Sequence, residues 1–497
     1  MICLIQNVED YNNDLRVILM AFYMGVKIIT PENIEKKPEL GADITATLVA
    51  EFAEDQTKIW MKDGGLDVEP DIVIDQDYHD RKIFRNILKR AMYRMLSERT
   101  GRVLPWGSLT GVRPVKIAME AVERGCTDEE IRKLYQEIYV ASLEKADACV
   151  KIARREKAII ETIDERNEYC LYIGIPFCPT RCLYCSFTSY PIGVYKDKVD
   201  AYLDTMEKEM EYVAASYTEK KLVSIYIGGG TPSSISAEQM DRLCSMIEKH
   251  FDLSQVREYT IEAGRPDSTT ADKLQVMKAH GVGRISINPQ TMNGETLKLI
   301  GRAHTPEQAE EAFKRAREAG FDNINMDLIV GLPGEDAEMV KRTLEKVKKL
   351  APESLTVHTL AIKRAAHLKQ EMDKYSFAGD VDEQLSLVGQ AAEELGLAPY
   401  YLYRQKNMAG NLENVGYARH GLECLYNILI MEERTDIIGI GAGSSSKLIR
   451  REGDSDPVTG EMITGTRIDR VENCKSVDDY IARIDEMIDR KKQAFAK

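Results

Sequence analysis

The 497-residue sequence lacks a long hydrophobic run. Its apolar stretch near the start, Val17 to Val26, is well short of the roughly 20 residues that a membrane-spanning helix needs. The residues before this stretch include Glu9, Asp10 and Asp14, so the basic flank of a signal peptide is missing. We therefore predict a buried helix here, no membrane insertion and a cytoplasmic location.

The sequence also has fewer basic than acidic residues. Lys and Arg number 67 against 81 Asp and Glu, which gives a net charge of −14. A broad nucleic-acid-binding surface needs stripes of basic residues, so we expect no nucleic-acid partner. A local basic pocket for a small substrate is still compatible with this balance. Repeats and low-complexity tracts are absent, and the length predicts about three domains at roughly 150 residues each.

Cysteines are too scattered for a disulfide framework, since most of the 10 stand alone along the chain. Such isolated cysteines are typical of small core residues. The other three are packed together in Cys178-Pro-Thr-Arg-Cys182-Leu-Tyr-Cys185. In a reducing compartment, cysteines at this spacing indicate a metal site.

The first predicted domain, residues 1–165, is a small α+β extension of unknown role. Alternating apolar residues in Ala46–Phe52 and Lys58–Met61 predict a β-hairpin. Helical periodicity follows from Arg81 to Arg99. A loop punctuated by glycine and proline then runs from Leu104 to Pro114, and we consider both a functional role and a domain-packing role for it.

The second predicted domain, residues 166–395, alternates strands and helices, which indicates a parallel sheet closed or partly closed into a (β/α)6 barrel. The predicted strands are Cys170–Ile175, Leu222–Ile227, Tyr259–Glu262, Gly283–Ile287, Ile324–Val330 and Leu355–Leu360. In barrels the chemistry lies at the carboxyl ends of the strands. Residues 396–497 form the third predicted domain, a small C-terminal α+β substrate or lid domain that ends in a helix over Val477–Lys491.

The three clustered cysteines follow the first barrel strand. Three thiolates are one short of closing a four-iron cluster or a zinc site, so one metal position would stay open. The alternatives are a zinc site with a distant fourth ligand and packed core cysteines. We favour the cluster, because the sequence nearby contains neither a second C-x2-C pair nor a histidine group.

The residues around these cysteines resemble a known family. The run from Tyr172-Ile-Gly-Ile-Pro-Phe to Cys178, continuing to Cys185-Ser-Phe187, is similar to the radical S-adenosylmethionine (SAM) motif. More narrowly, it resembles the oxygen-independent coproporphyrinogen III oxidase family over about residues 168–450. The N-terminal extension and the segment from Arg404 to Asn407 resemble the HemZ-type branch.

This resemblance implies one [4Fe-4S] cluster on Cys178, Cys182 and Cys185, and SAM as a second cofactor. The residues it places beside the cofactors are Tyr172, Tyr184, Gly229, Gly230, Thr231, Glu262, Gln290, Arg302, Asp327 and Ser445. It implies no catalytic residue beyond these. Ser445 corresponds to a second SAM site, where relatives tend to have an apolar residue.

The residue types allow plainer interpretations of several of these positions. Three glycines after a strand suit close approach of the backbone to a ligand, and they also suit a tight turn. Glu262 at a strand end is either solvated or directed at a site. Asp327 inside an apolar strand needs a partner, and a barrel arginine would also provide one.

Two positions depart from the family pattern. Phe187 stands where the best-known members carry a fourth cysteine, and Gly174 stands where they carry a histidine. Both of those residues are linked to decarboxylation in the family. Their replacement does not change the expectation of SAM cleavage. It concerns the decarboxylation of the porphyrinogen.

The resemblance implies oxidative decarboxylation of coproporphyrinogen III to protoporphyrinogen IX through a 5′-deoxyadenosyl radical, in haem biosynthesis. It implies a tetrapyrrole substrate and a flavodoxin- or ferredoxin-like electron donor, and we expect a monomer. Two alternatives stay open: a haem-binding chaperone of the same superfamily, and a radical SAM enzyme acting on another tetrapyrrole. The chaperones carry a His-Asn-x-x-Tyr-Trp element, whereas this chain has Leu425-Tyr426-Asn427-Ile428 and no Trp after residue 106.

Four further side chains have weaker patterns. We interpret His358 as a core residue more readily than as a pocket residue. Arg364, Arg404 and Lys406 are candidates to pair with substrate carboxylates, although solvated surface bases are the expected state of each.

Overall fold

The computed structural model describes residues 1–23, 25–63, 70–361, 368, 379–405, 412–457 and 459–495. The chain forms two compact units. The first contains Met1–Arg154 and Leu402–Glu413, and the second contains Arg155–Tyr401 and Asn414–Lys497. Among the described residues, no helix combines the length and the apolar character needed to cross a bilayer.

The first unit is built on a five-stranded sheet with the order β2-β1-β3-β4-β5. Its strands are β1 (Ile2–Gln6), β2 (Ile28–Ile29), β3 (Ala46–Phe52), β4 (Thr57–Lys62) and β5 (Ile72–Ile74). Its helices are α1 (Asn12–Phe22), α2 (Pro31–Lys36), α3 (Arg81–Thr100), α4 (Val115–Glu123), α5 (Asp128–Tyr139) and α6 (Leu143–Ile160), which continues into the second unit. The predicted hairpin is present as β3 and β4, which pair antiparallel.

Sequence patterns explain these elements. In β4 the alternate residues Thr57, Ile59 and Met61 are buried, as one face of a half-buried strand requires. Helix α3 is capped at its start by Asp80, whose carboxylate accepts a hydrogen bond from the Ile83 amide, and at its end by Gly101 in the left-handed region. The predicted buried helix is α1, although it lies earlier in the chain than the apolar run suggested.

The loop after α3 is fixed inside the first unit. The Trp106 indole donates a 2.7 Å hydrogen bond to Glu413, and the Lys145 ammonium lies 2.8 Å from the same carboxylate. Arg404 is buried, donates to the Leu109 carbonyl at 2.5 Å and lies over the Trp106 ring. The expectation of a solvated Arg404 is therefore wrong, because a loop almost 300 residues earlier in the sequence covers it. Arg364 and Lys406 lie outside the described residues.

The second unit contains the barrel. Its strands are β6 (Glu168–Ile175), β7 (Phe177–Cys178), β8 (Tyr190–Pro191), β9 (Lys221–Gly229), β10 (Glu258–Gly264), β11 (Arg284–Ile287), β12 (Ile324–Val330), β13 (Ser354–Thr359), β14 (Ala398–Tyr403, which ends in the first unit), β15 (Asn414–Ala418), β16 (Asp436–Ile440), β17 (Ser445–Arg450) and β18 (Arg467–Glu472). Its helices are α7 (Ile192–Tyr195), α8 (Val199–Ser216), α9 (Ala237–His250), α10 (Ala271–Ala279), α11 (Gly294–Leu299), α12 (Pro306–Glu318), α13 (Ala337–Leu350), α14 (Val381–Glu394), α15 (Leu425–Glu432), α16 (Val477–Ala482) and α17 (Ile484–Phe495).

The six predicted barrel strands are all present and neighbour one another in parallel, in the order β13-β12-β11-β10-β9-β6. Antiparallel β15 continues the sheet beyond β13, and parallel β16 continues it beyond β6. The open order, with eleven strands in one sheet, confirms the partial (β/α)6 barrel.

The compact units divide the chain differently from the three predicted domains. Residues 414–497 belong to the same unit as the barrel, because β16 pairs with β6 from Asp436 opposite Tyr169 to Ile440 opposite Ile173. The predicted helix over Val477–Lys491 is two helices. Arg483 leaves the helical region between them, with φ −122° and ψ 27°, and its guanidinium pairs with Glu486.

Candidate cofactor site

The candidate site lies at the carboxyl ends of the barrel strands. Ile175 at the end of β6 is opposite Gly229 at the end of β9. Gly264 at the end of β10 is opposite Ile287 in β11. Because these strands are parallel, the loops that follow them lie along one edge of the sheet.

The loop with the three cysteines follows β6 and is anchored at three points. The Tyr190 amide donates to the Pro176 carbonyl at 2.8 Å, and the Leu183 amide donates to the Ile300 carbonyl at 3.0 Å. The Thr180 hydroxyl donates to the Gly301 carbonyl at 3.3 Å. The main chain that presents the thiols is thus fixed by contacts to other loops of the same unit.

The thiols themselves are shielded from water to different degrees. Cys182 is buried, and Cys178 and Cys185 are half-buried. Burial raises the pKa of Cys178 and of Cys185. Cys178 Sγ lies 3.5 Å from the Thr231 hydroxyl, and Arg265 Nη1 lies 4.0 Å from Cys182 Sγ. The hydrogen bond with Thr231 acts against the rise in the pKa of Cys178.

The described residues contain no group of three His, Cys, Asp or Glu side chains gathered as metal ligands. The three thiols lie on one loop and are near enough to affect one another, since the charges of Cys185 and Cys182 add to the rise in the pKa of Cys178. The donor set suits iron–sulfur chemistry, because all three side chains are thiols.

Three glycines end β9 and pass close to this loop. A Cβ on Gly230 would lie 2.6 Å from the Phe177 carbonyl oxygen and 3.0 Å from Cys178 Sγ. Gly229 has φ +111°, where other residues are strained. The Gly230 amide donates to the Ile175 carbonyl at 2.8 Å. The close approach that these glycines allow is therefore made to the cysteine loop, and the segment is not merely a turn.

Glu262 lies on β10 beside the same glycines, and a Cβ on Gly228 would come within 3.2 Å of its carboxylate. Tyr226 on β9 donates a 2.5 Å hydrogen bond to Glu262 Oε1. Burial raises the pKa of Glu262 to about 7, with the hydrogen bond from Tyr226 acting against the rise and the charge of Asp327 adding to it. The carboxyl group is therefore directed into the barrel and does not lie in bulk solvent.

Three tyrosine rings stack beside Glu262. Tyr226 and Tyr426 have ring centroids 4.5 Å apart with planes at 21°, and Tyr172 lies 5.9 Å from Tyr426 at 23°. Tyr172 and Tyr226 are cross-strand neighbours on β6 and β9. Tyr172, predicted to lie beside the cofactors, is thus part of a flat aromatic surface inside the barrel.

Asp327 and Gln290 are joined through the main chain of β12. Gln290 has a positive φ of 69°, and its amide donates to the Asp327 carbonyl at 2.9 Å. The Asp327 carboxylate accepts a 2.7 Å hydrogen bond from Asn325 and lies 3.8 Å from His358 Nε2. Its described partners are thus an amide and an imidazole, not the barrel arginine considered above.

Arg302 connects the cysteine loop to the strand ends. Its guanidinium donates to the Tyr184 hydroxyl at 2.9 Å and to the Asn288 carbonyl at 3.2 Å. Tyr184 lies between Cys182 and Cys185 in the sequence, so Arg302 anchors the segment that carries two of the thiols.

Ser445 begins β17 at the same edge of the sheet, after the turn that follows β16. Its hydroxyl donates a 2.8 Å hydrogen bond to Glu472 on β18. This contact gives Ser445 a role in the β17–β18 hairpin, and the described contacts of its hydroxyl do not include the other predicted site residues.

Sequence reasoning missed Tyr226, Tyr426 and Arg265, and it interpreted His358 as a core residue. Tyr226 precedes Gly228 by two positions, so strand alternation alone places both on one face. Arg265 directly follows β10, a position where barrel strands present functional side chains. No comparable local signal identifies Tyr426, which approaches Tyr226 from a helix 200 residues later.

The fold and this site define a radical SAM protein. Residues 172–347 match the family model described as the radical SAM superfamily. The cofactors of this superfamily, a [4Fe-4S] cluster held by three cysteines and SAM, are accordingly the cofactors of this chain.

Similarity to curated relatives identifies the family of this chain within the radical SAM superfamily. The oxygen-independent coproporphyrinogen-III oxidase-like protein HemZ of Bacillus subtilis is 42% identical over 385 residues, which cover 76% of this chain and 77% of that protein. The haem chaperone HemW of Lactococcus lactis is 33% identical over 278 residues, or 56% of this chain and 69% of that protein. The chain belongs to the oxygen-independent coproporphyrinogen-III oxidase-like family, in the branch that contains HemZ.

A solved structure supports the fold. The coproporphyrinogen III oxidase HemN of Escherichia coli, described as a radical SAM enzyme, aligns with a TM-score of 0.51. The alignment has 23% sequence identity and covers 67% of this chain and 73% of that chain. The shared architecture is the radical SAM barrel.

Proposed function

We propose that this chain is a radical SAM oxidoreductase that converts coproporphyrinogen III to protoporphyrinogen IX by oxidative decarboxylation. The observation that carries the proposal is the meeting of the cysteine loop, the glycines of β9 and the Glu262 carboxyl group at one edge of the barrel. The similarity to HemZ supplies the substrate class, a tetrapyrrole with propionate side chains.

Cys178, Cys182 and Cys185 would hold the cluster. When bound, the cluster and SAM would supply a 5′-deoxyadenosyl radical to take a hydrogen atom from a propionate, and loss of CO2 together with one electron, passed to a one-electron acceptor such as the oxidised donor protein, would leave a vinyl group. A flavodoxin- or ferredoxin-like protein would supply the electron. The chain's own contribution is to bind and orient the reactants and to keep water away from them.

The residues at the strand ends suit the polar parts of SAM. Gly229, Gly230 and Thr231 present main-chain carbonyls, which can accept from the ammonium of an amino-acid head group, whereas the Gly230 and Thr231 amides donate to the Ile175 and Phe177 carbonyls. Glu262 and Asp327 are acceptors for its ammonium and ribose hydroxyl groups. Gln290 and Arg302 complete the proposed set, with Tyr172 and Tyr184 as apolar surfaces, and Ser445 belongs to the proposed second SAM site.

The surroundings of Gly174 and Phe187, the two positions that depart from the family pattern, bear on the proposed reaction. A Cβ on Gly174 would lie 3.3 Å from the Ala442 carbonyl oxygen, so a histidine there would need the neighbouring backbone to move. Phe187 is 65% exposed. Glycine and phenylalanine provide neither the imidazole nor the thiol that the best-known members have at these positions. This difference favours a second candidate function, the binding of haem or another tetrapyrrole, in line with the similarity to HemW.

An anaerobic assay separates these candidates. Protein with a reconstituted cluster is given reductant, SAM and coproporphyrinogen III, and 5′-deoxyadenosine and protoporphyrinogen are measured together. We expect both products to form in step, and Cys182→Ala should form neither. Deoxyadenosine without porphyrin product would reject the substrate. Stoichiometric haem binding with no turnover would favour the chaperone function.

A further inference from the structure

The first unit contains a cleft of about 740 Å³ between α3 and the loop that follows it. Five of its ten lining residues are cationic and none is acidic. The cationic residues are Arg81, Lys82, Arg85, Lys89 and Arg113. In a chain with a net charge of −14, this is a marked local concentration of positive charge.

Helix periodicity places three of these cations in a row. Arg81, Arg85 and Lys89 are four residues apart on α3, so their side chains lie along one face. Like charges at this spacing destabilise a helix unless an anion lies between them. One carboxylate meets this need in part, because Asp14 lies 3.0 Å from the Arg85 guanidinium. Arg81 donates to the Asp10 carbonyl oxygen, which carries no full charge.

Lys89 is the least solvated member of the row, with 5% of its surface exposed. Its ammonium group donates a 2.5 Å hydrogen bond to the Thr110 hydroxyl. Within the described ranges, no carboxylate forms an ion pair with it. Burial lowers the pKa of Lys89 to about 8. A buried cation with a hydroxyl partner alone is costly, and an anionic ligand in the cleft would compensate for it.

The opposite wall is the loop from Leu104 to Pro114, which supplies Leu109, Gly111 and Arg113. Its position is fixed by the buried Arg404 and by the hydrogen bond from Trp106 to Glu413. Ile117 and Tyr139 add apolar surface. The cleft therefore offers several cations beside an apolar surface that could contact the carbon skeleton of a ligand, and its walls are held in position. Its volume is in the range of small-molecule sites.

We propose that this cleft binds a small organic molecule that carries two or more phosphate or carboxylate groups. Arginine forks pair with either group in a bidentate manner, and lysine contributes a compact charge. The proposal does not depend on the decarboxylation proposed above. Two sources share this chemistry: a nucleotide with its phosphates, and a tetrapyrrole with its propionates.

Isothermal titration of the full chain with ATP and, separately, with coproporphyrin III distinguishes the sources. We expect one of the two to bind with a Kd below about 100 μM and with one site per chain that Lys89→Met weakens by about tenfold or more. The exposed pair Arg81→Gln/Lys82→Gln should weaken the same site by a similar factor without loss of fold. Binding should also weaken as salt is raised.

Lys133→Gln is the matched control, because Lys133 is an exposed cation on α5 and does not line the cleft. It should leave both affinities within about twofold. The proposal is overturned if neither compound binds below about 1 mM, or if the Arg81→Gln/Lys82→Gln variant, shown to be folded by its thermal transition, binds as tightly as the Lys133→Gln control. Tight binding of a 20-nucleotide RNA, with neither small ligand bound, would also overturn it.

Discussion

The Tyr226 hydroxyl donates a 2.5 Å hydrogen bond to Glu262 Oε1, between adjacent strands and directly beside the glycines that end β9. This pair links the aromatic stack inside the barrel to the edge where the cofactors are proposed to bind. It also places a carboxyl group whose pKa is raised to about 7 at the centre of the site.

SAM affinity should therefore depend on pH. Since Glu262 is a carboxylic acid with a raised pKa, its charged form is lost as the pH falls through about 7. We expect SAM to bind more weakly below that pH, because the neutral carboxyl attracts the ammonium group less. Tyr226→Phe removes the hydrogen bond that lowers the pKa, so the midpoint should move to higher pH. Calorimetric titration of protein with a reconstituted cluster between pH 6 and pH 8.5 measures the shift.

Glu262→Gln is the control for that experiment. It keeps the size of the side chain and removes the titration, so above pH 7 it should bind SAM about tenfold more weakly than the wild type, with no midpoint near pH 7. It should also retain its iron. A wild-type pH dependence in this variant would show that another group is responsible.

Cluster binding should depend on each clustered thiol and on no other cysteine. We expect Cys182→Ala to lose the broad brown absorbance of the iron–sulfur cluster after reconstitution, because ligation by three thiolates has no spare ligand. Cys244→Ala, a buried cysteine on α9, should keep it. Iron and sulfide analysis alongside the absorbance checks this. Four irons per chain in the Cys182→Ala protein would reject the ligand assignment.

The glycine at position 230 should be required for steric reasons. In Gly230→Ala the added Cβ would lie 2.6 Å from the Phe177 carbonyl oxygen and 3.0 Å from Cys178 Sγ. The cysteine loop must then move, so we expect poorer cluster incorporation and a loss of about 1–3 kcal/mol in the free energy of unfolding. Iron content and urea denaturation measure the two effects.

Gly283→Ala is the comparison, because no atom lies within 4 Å of a Cβ built there and its φ is not positive. It should keep the wild-type iron content and stability. If Gly230→Ala matched it in both respects, the close approach between β9 and the cysteine loop would have no energetic importance.

The barrel was predictable because its signals are local. The strand Ile324–Val330 was predicted with its observed bounds, and each of the other five barrel strands differs by two residues at most at either end. The cysteine loop and the β9 glycines stand out by spacing alone. The pairing of Tyr226 with Glu262 depends on how two strands align, and the ring of Tyr426 arrives from a distant helix, so neither follows from local pattern.

Burial of charged residues was the least predictable feature. Arg404 and Glu413 were not identified as buried, because their partners Leu109, Trp106 and Lys145 lie more than 250 residues earlier. Sequence composition favours exposure for such side chains, and long-range contacts override that preference.

The buried group around Glu413 should stabilise the first unit measurably. Lys145 and Glu413 form a 2.8 Å ion pair with side chains 7% and 3% exposed, and Trp106 donates to the same carboxylate. Lys145→Met leaves that carboxylate without its lysine in a site closed to water, and loss of one partner from such a pair costs about 3–5 kcal/mol. We expect the urea midpoint of the first unit, followed by Trp fluorescence, to fall accordingly. Lys133→Met, an exposed site on α5, should stay within about 0.5 kcal/mol of wild type. Equal midpoints for the two variants would mean that the contact between Lys145 and Glu413 does not stabilise the folded first unit, and the buried ion pair would have to be abandoned.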